Sequence, residues 1–418
     1  MVYVAIAAIA VGVLMLGAVA LQLRRGRTPP ERILDLPEEE QALLTDSSSR
    51  PPTFRVIALG LSGAGKTLLL SSMYHALNFP SSARPYHLET GAADATLLAN
   101  IREQVLDRDA GWPSATPLVE ERDFRFDYVA RDASGQKHTI LRMEYLDYAG
   151  EILTPGDQEG IANLEKLDER IQGAHALLGL IDGIKLRKFK QGDPESVRYF
   201  DAVLLPMIGF MQQASCPIQL VVTKWDLVPD LDRPGPVNEI RELKQVREAL
   251  MSVPQIRALV EDRGSRKIRF IPVSAVGWHF ARLAEGDDTP VKLPDGELAP
   301  VNVDIPLCAV IADLLQQAAE SLDRPLRRRI TSYVRRSLWQ DAQSLVAVLL
   351  QSPVGAVLRG VDGVLVFLEW IVRQTPAPWW TRRSVGVDPE QERLRGELIA
   401  HMEARVKMLE TMLPESVP

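Results

Sequence analysis

Cysteine is scarce: Cys216 and Cys308 are the only two in 418 residues, and they stand far apart. That excludes a disulfide framework and a cysteine zinc site, and it fits a reducing compartment. Histidine is scarce as well, with six scattered residues that form no metal-ligating spacing. There is no surplus of positive charge. The 48 basic residues are outnumbered by 55 acidic ones for a net charge of −7, so nucleic acid is not an expected partner. No internal repeat is present. What the chain does have is 46% hydrophobic and 25% charged residues, a composition that buries a large core and excludes a disordered protein. Its length fits two or three folding units.

Residues 2–23, VYVAIAAIAVGVLMLGAVALQL, contain no charge. About 22 residues make a helix of about 33 Å, enough to cross a bilayer. No basic segment precedes the run and it exceeds the usual signal-peptide length, so residues 1–23 are expected to be an uncleaved transmembrane helix. Arg24, Arg25 and Arg27 follow at once, and the positive-inside rule puts the rest of the chain in the cytoplasm. Residues 24–52 are rich in proline, serine and acid and read as a flexible linker.

From residue 53 to 322, β-like and helix-like runs alternate. Strands are expected at 54–59, 124–130, 139–146, 176–181, 218–223 and 268–273, most of them short, apolar and bounded by Gly, Pro or Asp. Two of them, ERDFRFDYVA and KHTILRMEYLD, alternate in polarity and predict an antiparallel hairpin. Helices are expected near 66–78, 92–107, 195–213, 237–251 and 305–322. The pattern predicts a doubly wound α/β fold: a mostly parallel, six-stranded sheet with one antiparallel edge strand.

The chemistry-bearing motifs stand at strand ends. GLSGAGKT, residues 60–67, lies behind a β-like run and ahead of a helix-like one. Gly60, Gly63, Ala64 and Gly65 form a turn whose backbone N–H groups can face phosphates at the start of a helix. Lys66 would reach the β and γ phosphates, and the Thr67 hydroxyl would take a place on Mg²⁺. TKWD, residues 223–226, closes an apolar strand. The Asp226 carboxylate there can accept from the N1–H and amino group of guanine, a donor pair that adenine lacks, while Lys224 braces the loop. Ser274 and Ala275 close the next strand, where the Ala275 N–H can meet the guanine carbonyl oxygen. In DYAG, residues 147–150, Asp147 can hold Mg²⁺ through water and the Gly150 N–H can touch the γ phosphate.

GLSGAGKT, DYAG, TKWD and SA, in that order and each at a strand end, resemble the signature motifs of the Ras-like GTPases of the TRAFAC class of P-loop proteins. The match covers residues 53–322 and includes the hairpin before DYAG. The resemblance implies binding of GTP or GDP with Mg²⁺, two switch segments, and a conformation that depends on the γ phosphate. A protein effector bound through the long switch or the carboxyl-terminal helices is expected to read that state. A membrane helix ahead of the nucleotide domain is similar in layout to the beta subunit of the signal recognition particle receptor. The interval of about 40 residues between the first helix and the hairpin is far longer than in Ras, and is similar to bacterial double-GTPase-type domains. It obscures the switch threonine: Thr116 is the candidate, with Thr90 and Thr96 as alternatives. Glu151 follows DYAG where Ras has glutamine. An ionised glutamate can accept from the attacking water but cannot donate toward the transferring oxygen. The catalytic set is therefore Lys66, Gly150 and Glu151, with slow hydrolysis expected unless an arginine from a partner, or Arg102 or Arg108, compensates. The alternative is a nucleotide-bound membrane scaffold or adaptor without significant turnover.

Residues 323–418 are expected to be a basic, amphipathic helical region. Six arginines fall between Arg324 and Arg336, and residues 345–372 form an apolar stretch whose charges Arg359, Asp362 and Glu369 share one helical face. Arg359 and Asp362 near its centre make insertion into a bilayer costly, so this segment is expected either to lie on the membrane surface or to pack as a helical subdomain. Residues 389–412 read as one amphipathic helix, a candidate for self-association.

Overall fold

The structure is a computed structural model. It describes residues 51–114, 122–147, 158–200, 204–229, 236–262, 267–284, 289–320, 349–350, 352–358, 364, 367 and 389–418. The expected anchor at 1–23, nearly all of the linker, Thr116, Gly150, Glu151 and the arginine run at 324–336 lie outside the described residues. Among the described residues no helix is long and apolar enough to cross a membrane.

The first strand, β1 (Thr53–Leu59), alternates in burial and then ends in four buried residues, Val56 to Leu59. The chain continues through α1 (Lys66–Leu77), β2 (His87–Thr90), α2 (Ala92–Leu106), β3 (Arg122–Arg131), β4 (Lys137–Asp147), α3 (Gln158–Gln172), β5 (Ala176–Asp182), α4 (Gly183–Lys190), α5 (Pro194–Tyr199), α6 (Leu205–Gln213) and β6 (Ile218–Thr223). Then follow α7 (Pro236–Ser252), α8 (Pro254–Asp262), β7 (Phe270–Pro272), the short hairpin β8 (Ala281–Leu283) and β9 (Pro290–Lys292), α9 (Ile305–Glu320), α10 (Pro353–Leu358) and α11 (Pro389–Met412). The main sheet has seven strands in the order β2-β3-β4-β1-β5-β6-β7. β1 is parallel to both β4 and β5, and β5, β6 and β7 continue in parallel. β5 and β6 are buried along their whole length, as parallel strands covered on both faces must be. In such a sheet the ligand crevice opens at the carboxyl ends of the strands on either side of β1, where the winding reverses.

The sheet corrects the expected six strands with an antiparallel edge. β2 is a seventh strand and forms the edge, paired antiparallel to β3, so the antiparallel strand β3 lies one place inside. Four residues, HLET, carry too few alternations to be distinguished from loop. Together with α2, β2 fills the long interval after α1. β3 and β4 form the expected hairpin. Phe124, Phe126 and Tyr128 face the core while Asp123, Arg125 and Asp127 face outward. Across the pair, Arg142 grips Asp127 with two bonds of 2.6 and 2.9 Å, a half-exposed contact worth a few tenths to about 1 kcal/mol.

The single helix expected over 195–213 is two, α5 and α6. Asp193 caps α5 by accepting from Ser196 N, and Pro206 opens α6. The helices α3, α4 and α8 and the hairpin β8–β9 were not expected. α11 has the predicted bounds, but its apolar face is covered within the chain. Leu394, Leu398, Met402, Val406 and Leu409 belong to the same buried cluster as β1, β4 and α9. Polar fastenings hold α11 in place: Arg405 meets Asp304 through two bonds of 2.7 and 2.8 Å, Arg269 donates to Glu410 and Asp313, and Arg395 Nε donates to Ile140 O on β4. Val354 and Leu358 of the 345–372 stretch are buried in this cluster too.

Candidate functional site

The turn after β1 is built by glycine. Gly63 and Gly65 have φ of 77° and 84°, left-handed values that a side chain resists, and at both positions the space a Cβ would occupy is open. Gly65 is the N-cap of α1 and offers no side chain to the first turn, so the helix start is left to an outside acceptor. The Lys66 ammonium folds over this turn and donates to Gly60 O at 2.8 Å and Leu61 O at 2.9 Å. Gly60 sits beneath, and a Cβ there would come within 3.0 Å of Leu180 O.

At the end of β4, Asp147 accepts from the Thr67 hydroxyl at 2.5 Å. Asp147 is almost fully buried, and burial raises its carboxyl above the usual range, opposed by the Thr67 hydrogen bond, Lys66 and Arg122. Its other oxygen, Oδ1, accepts no hydrogen bond among the described residues. One carboxylate and one hydroxyl side by side suit an octahedral cation that keeps several waters, as Mg²⁺ does. Among the described residues no cluster of three or more His, Cys, Asp or Glu could hold a metal by itself, so this pair would need oxygens from a bound phosphate.

The loop after β6 is tied on every side. Thr223 Oγ1 shares its proton between Ala64 O at 2.8 Å and Ile181 O at 3.1 Å, joining this loop to the glycine turn. Lys224 has left-handed backbone, φ 51°, and its ammonium pairs with Asp182 at 2.7 Å. Trp225 N donates to Val273 O. Asp226 Oδ1 accepts from the Ser274 hydroxyl at 2.5 Å, and Ser274 Oγ in turn accepts from Gly277 N at 2.7 Å. The second oxygen of Asp226 is buried and accepts no hydrogen bond among the described residues. Burial lifts the Asp226 carboxyl to about 6, opposed by Ser274, its own backbone N–H and Lys224. An acceptor held in place, desolvated and unsatisfied is a site for a donor-bearing ligand.

These loops enclose one cavity of about 270 Å³. Gly63, Gly65, Lys66 and Thr67 line it from one side, and Lys224, Asp226 and Ala275 from the other. Gly60, Ala64 and Ser274 stand behind the lining and hold the loops. Sequence reasoning missed Asp182, the partner of Lys224, which also caps α4 by accepting from Ile184 N; its signal was an Asp closing an apolar strand just ahead of a helix. It also missed Trp112, Pro113 and Ser114, which form a third wall. Thr90 and Thr96 do not reach the cavity: Thr90 donates to Arg125 O at the sheet edge, and Thr96 donates to Ala92 O within α2. Arg108, considered as a catalytic arginine, is spent elsewhere, with its guanidinium 4.4 Å from the Phe280 ring centre and a hydrogen bond to Gly296 O. A larger groove of about 850 Å³ lies on the outer face of β1, β4 and β3, but its side chains answer one another, as in Arg55 with Glu144 and Arg170 with Asp123.

No family model matches the chain, and no curated protein does. Among solved structures, a chain of the signal recognition particle receptor SRb-GTP/SRX complex from Chaetomium thermophilum is 14% identical over 55% of this chain and 93% of that one, with a TM-score of 0.27. A bacterial selenocysteine-specific elongation factor is 13% identical over 54% of this chain, which spans 26% of that protein's length, with a TM-score of 0.23. At such similarity the fold rests on the strand order and loops described above.

Proposed function

We propose that this chain is a guanine-nucleotide-binding protein of the Ras-like P-loop type, anchored in a membrane, that hydrolyses GTP slowly and acts as a switch for a protein partner. The observation that carries the reading is the unsatisfied Asp226 oxygen in the same cavity as the glycine turn and Lys66. In this reading the turn and the Lys66 ammonium hold the phosphates. Thr67 and Asp147, with Thr116, would hold Mg²⁺, whose positive charge would offset the negative charge of the phosphates. Asp226 accepts from the guanine N1–H and amino group, Ser274 keeps that carboxylate oriented, and Lys224 and Ala275 flank the base. Gly150 and Glu151 face the γ phosphate. The 2–23 helix holds the domain at the cytoplasmic side of the bilayer.

Identifying the nucleotide that co-purifies with the full chain tests the reading. Guanine nucleotide is expected, and adenine nucleotide or none, with no binding of added GDP, would refute it.

A pH dependence follows from Asp226. Its folded value, about 6, lies above its ordinary 3.8, so the carboxyl contributes stability below pH 4 that the nucleotide-free protein loses as pH rises through 6. Guanine requires the ionised form, so GDP affinity should move the other way. It should fall roughly tenfold from pH 7 to pH 5, read by calorimetric titration across that range. An affinity that is flat with pH would mean Asp226 does not meet the base.

Glu151→Gln should raise single-turnover GTP hydrolysis by about tenfold, the size of one regained hydrogen bond to the transferring group. An unchanged or lower rate would overturn the reading that the glutamate slows hydrolysis.

A further inference from the structure

The third wall of the cavity is braced by a hairpin whose Ala281 and Pro290 also line the cavity. β8 and β9 follow the base-side loop and pair over three residues each. One ammonium on the hairpin gathers the far end of α2, about 180 residues earlier in the chain. Lys292 Nζ donates to Gln104 O at 2.7 Å, Asp107 O at 2.7 Å and Ala110 O at 3.0 Å. Two of these carbonyls belong to the last turn of α2 and its cap, where backbone acceptors lack helical partners and a cation is favoured. The same ammonium lies 5.3 Å from the Trp112 ring centre, and Trp112 Nε1 donates to Pro290 O at 2.7 Å. Gln104 Nε2 secures the other side of the turn by donating to Gly111 O and Trp112 O.

Beneath this clasp is a small apolar cluster separate from the main core. Val105 of α2, Val276, Phe280 and Ala281 form it, with Leu68 and Trp112 packed against it. Leu68 directly follows Thr67, and Val276 directly follows Ala275. The cluster therefore joins the phosphate-side loop, the base-side loop and the third wall.

We propose that Lys292 is a positioning residue for the nucleotide site: by closing the end of α2 it fixes Trp112 against the bound nucleotide and sets how long that nucleotide stays. The inference rests on the guanine-nucleotide reading given above. Lys292 does not line the cavity, so its effect passes through Trp112, the two residues after it, and Pro290 on its own strand, which accepts from the Trp112 indole.

The test uses the full chain in detergent, loaded with GDP carrying a fluorescent methylanthraniloyl group on the ribose. Energy transfer from Trp112 to that group is taken as the signal lost in Trp112→Phe. Lys292→Met is expected to speed dissociation by about tenfold, the size of one charged hydrogen bond, and to lose most of the Trp112 transfer. Lys292→Arg is expected to restore both. Wild-type dissociation in Lys292→Met, or faster dissociation with Trp112 transfer intact, would overturn the proposal, the second outcome marking a general loosening. If Lys292→Met does not fold, Arg108→Met, which frees the residues flanking the same hairpin, Phe280 and Gly296, carries the same two expectations and the same two refutations. A wild-type chain that binds no guanine nucleotide would instead overturn the reading on which the proposal rests.

Discussion

Replacing Asp226 by Asn should weaken GDP binding by roughly 100- to 1,000-fold and turn the site toward xanthosine diphosphate. The direction follows from Ser274. Its hydroxyl donates to Asp226 Oδ1, while its oxygen already accepts from Gly277 N. An amide in place of the carboxylate must turn its oxygen toward Ser274 to keep that bond, which leaves its NH₂ facing the cavity. There it would oppose the two donors of guanine, whereas xanthine offers a carbonyl at the same edge. Charge and acceptor are lost together, so the effect is larger than that of one neutral hydrogen bond. Competition titrations with the two diphosphates would show it. A variant that still prefers GDP would mean that the base is read elsewhere.

Gly277→Ala should be the most damaging single-methyl change near the site. Gly277 has φ 88°, and a Cβ there would lie 1.9 Å from Ala299 O and 2.6 Å from Ala299 C. The opposing backbone has little freedom to retreat, because Ala299 N donates to Val276 O and Val301 exchanges two hydrogen bonds with Ser274. Left-handed strain accounts for about 1 kcal/mol, and the collision adds enough to bring the loss to about 3 kcal/mol or more. Gly192→Ala isolates the two contributions. It has φ 76° with nothing within 4 Å of the added carbon, so about 1 kcal/mol is expected there. Thermal melts of both variants decide the matter. Equal small losses would mean that the Ala299 segment yields easily. Gly277→Ala should also weaken GDP binding, since the displaced N–H makes the shorter of the two backbone hydrogen bonds that orient Ser274.

The strand ends that carry the cavity were readable because each combines an apolar run with an abrupt change of residue type. Glycines after β1, a Lys and Asp after β6, and an Asp at the end of β4 are features that survive without any knowledge of neighbours. β2 was not readable, since HLET is too short for its alternation to stand out between Pro85 and Gly91. The hairpin β8–β9 was hidden for the same reason, and Lys292 for another: its three acceptors are backbone carbonyls on a distant helix end, which no residue pattern encodes. Asp182 illustrates the intermediate case. Its position before a helix was visible, but its pairing with Lys224 depends on β5 and β6 being neighbours in the sheet. α11 was legible as an amphipathic helix, yet what covered it was not. An apolar face demands a partner without naming one, and here the partner is α9 and β4 of the same chain.

That last arrangement bears on how the protein is made. Leu409, Leu413 and Ser416 are buried against elements translated far earlier, and Glu415 meets Arg247 at 2.6 Å. The surface of β4 and α9 that these residues cover is therefore closed only after residues 394–416 have been translated.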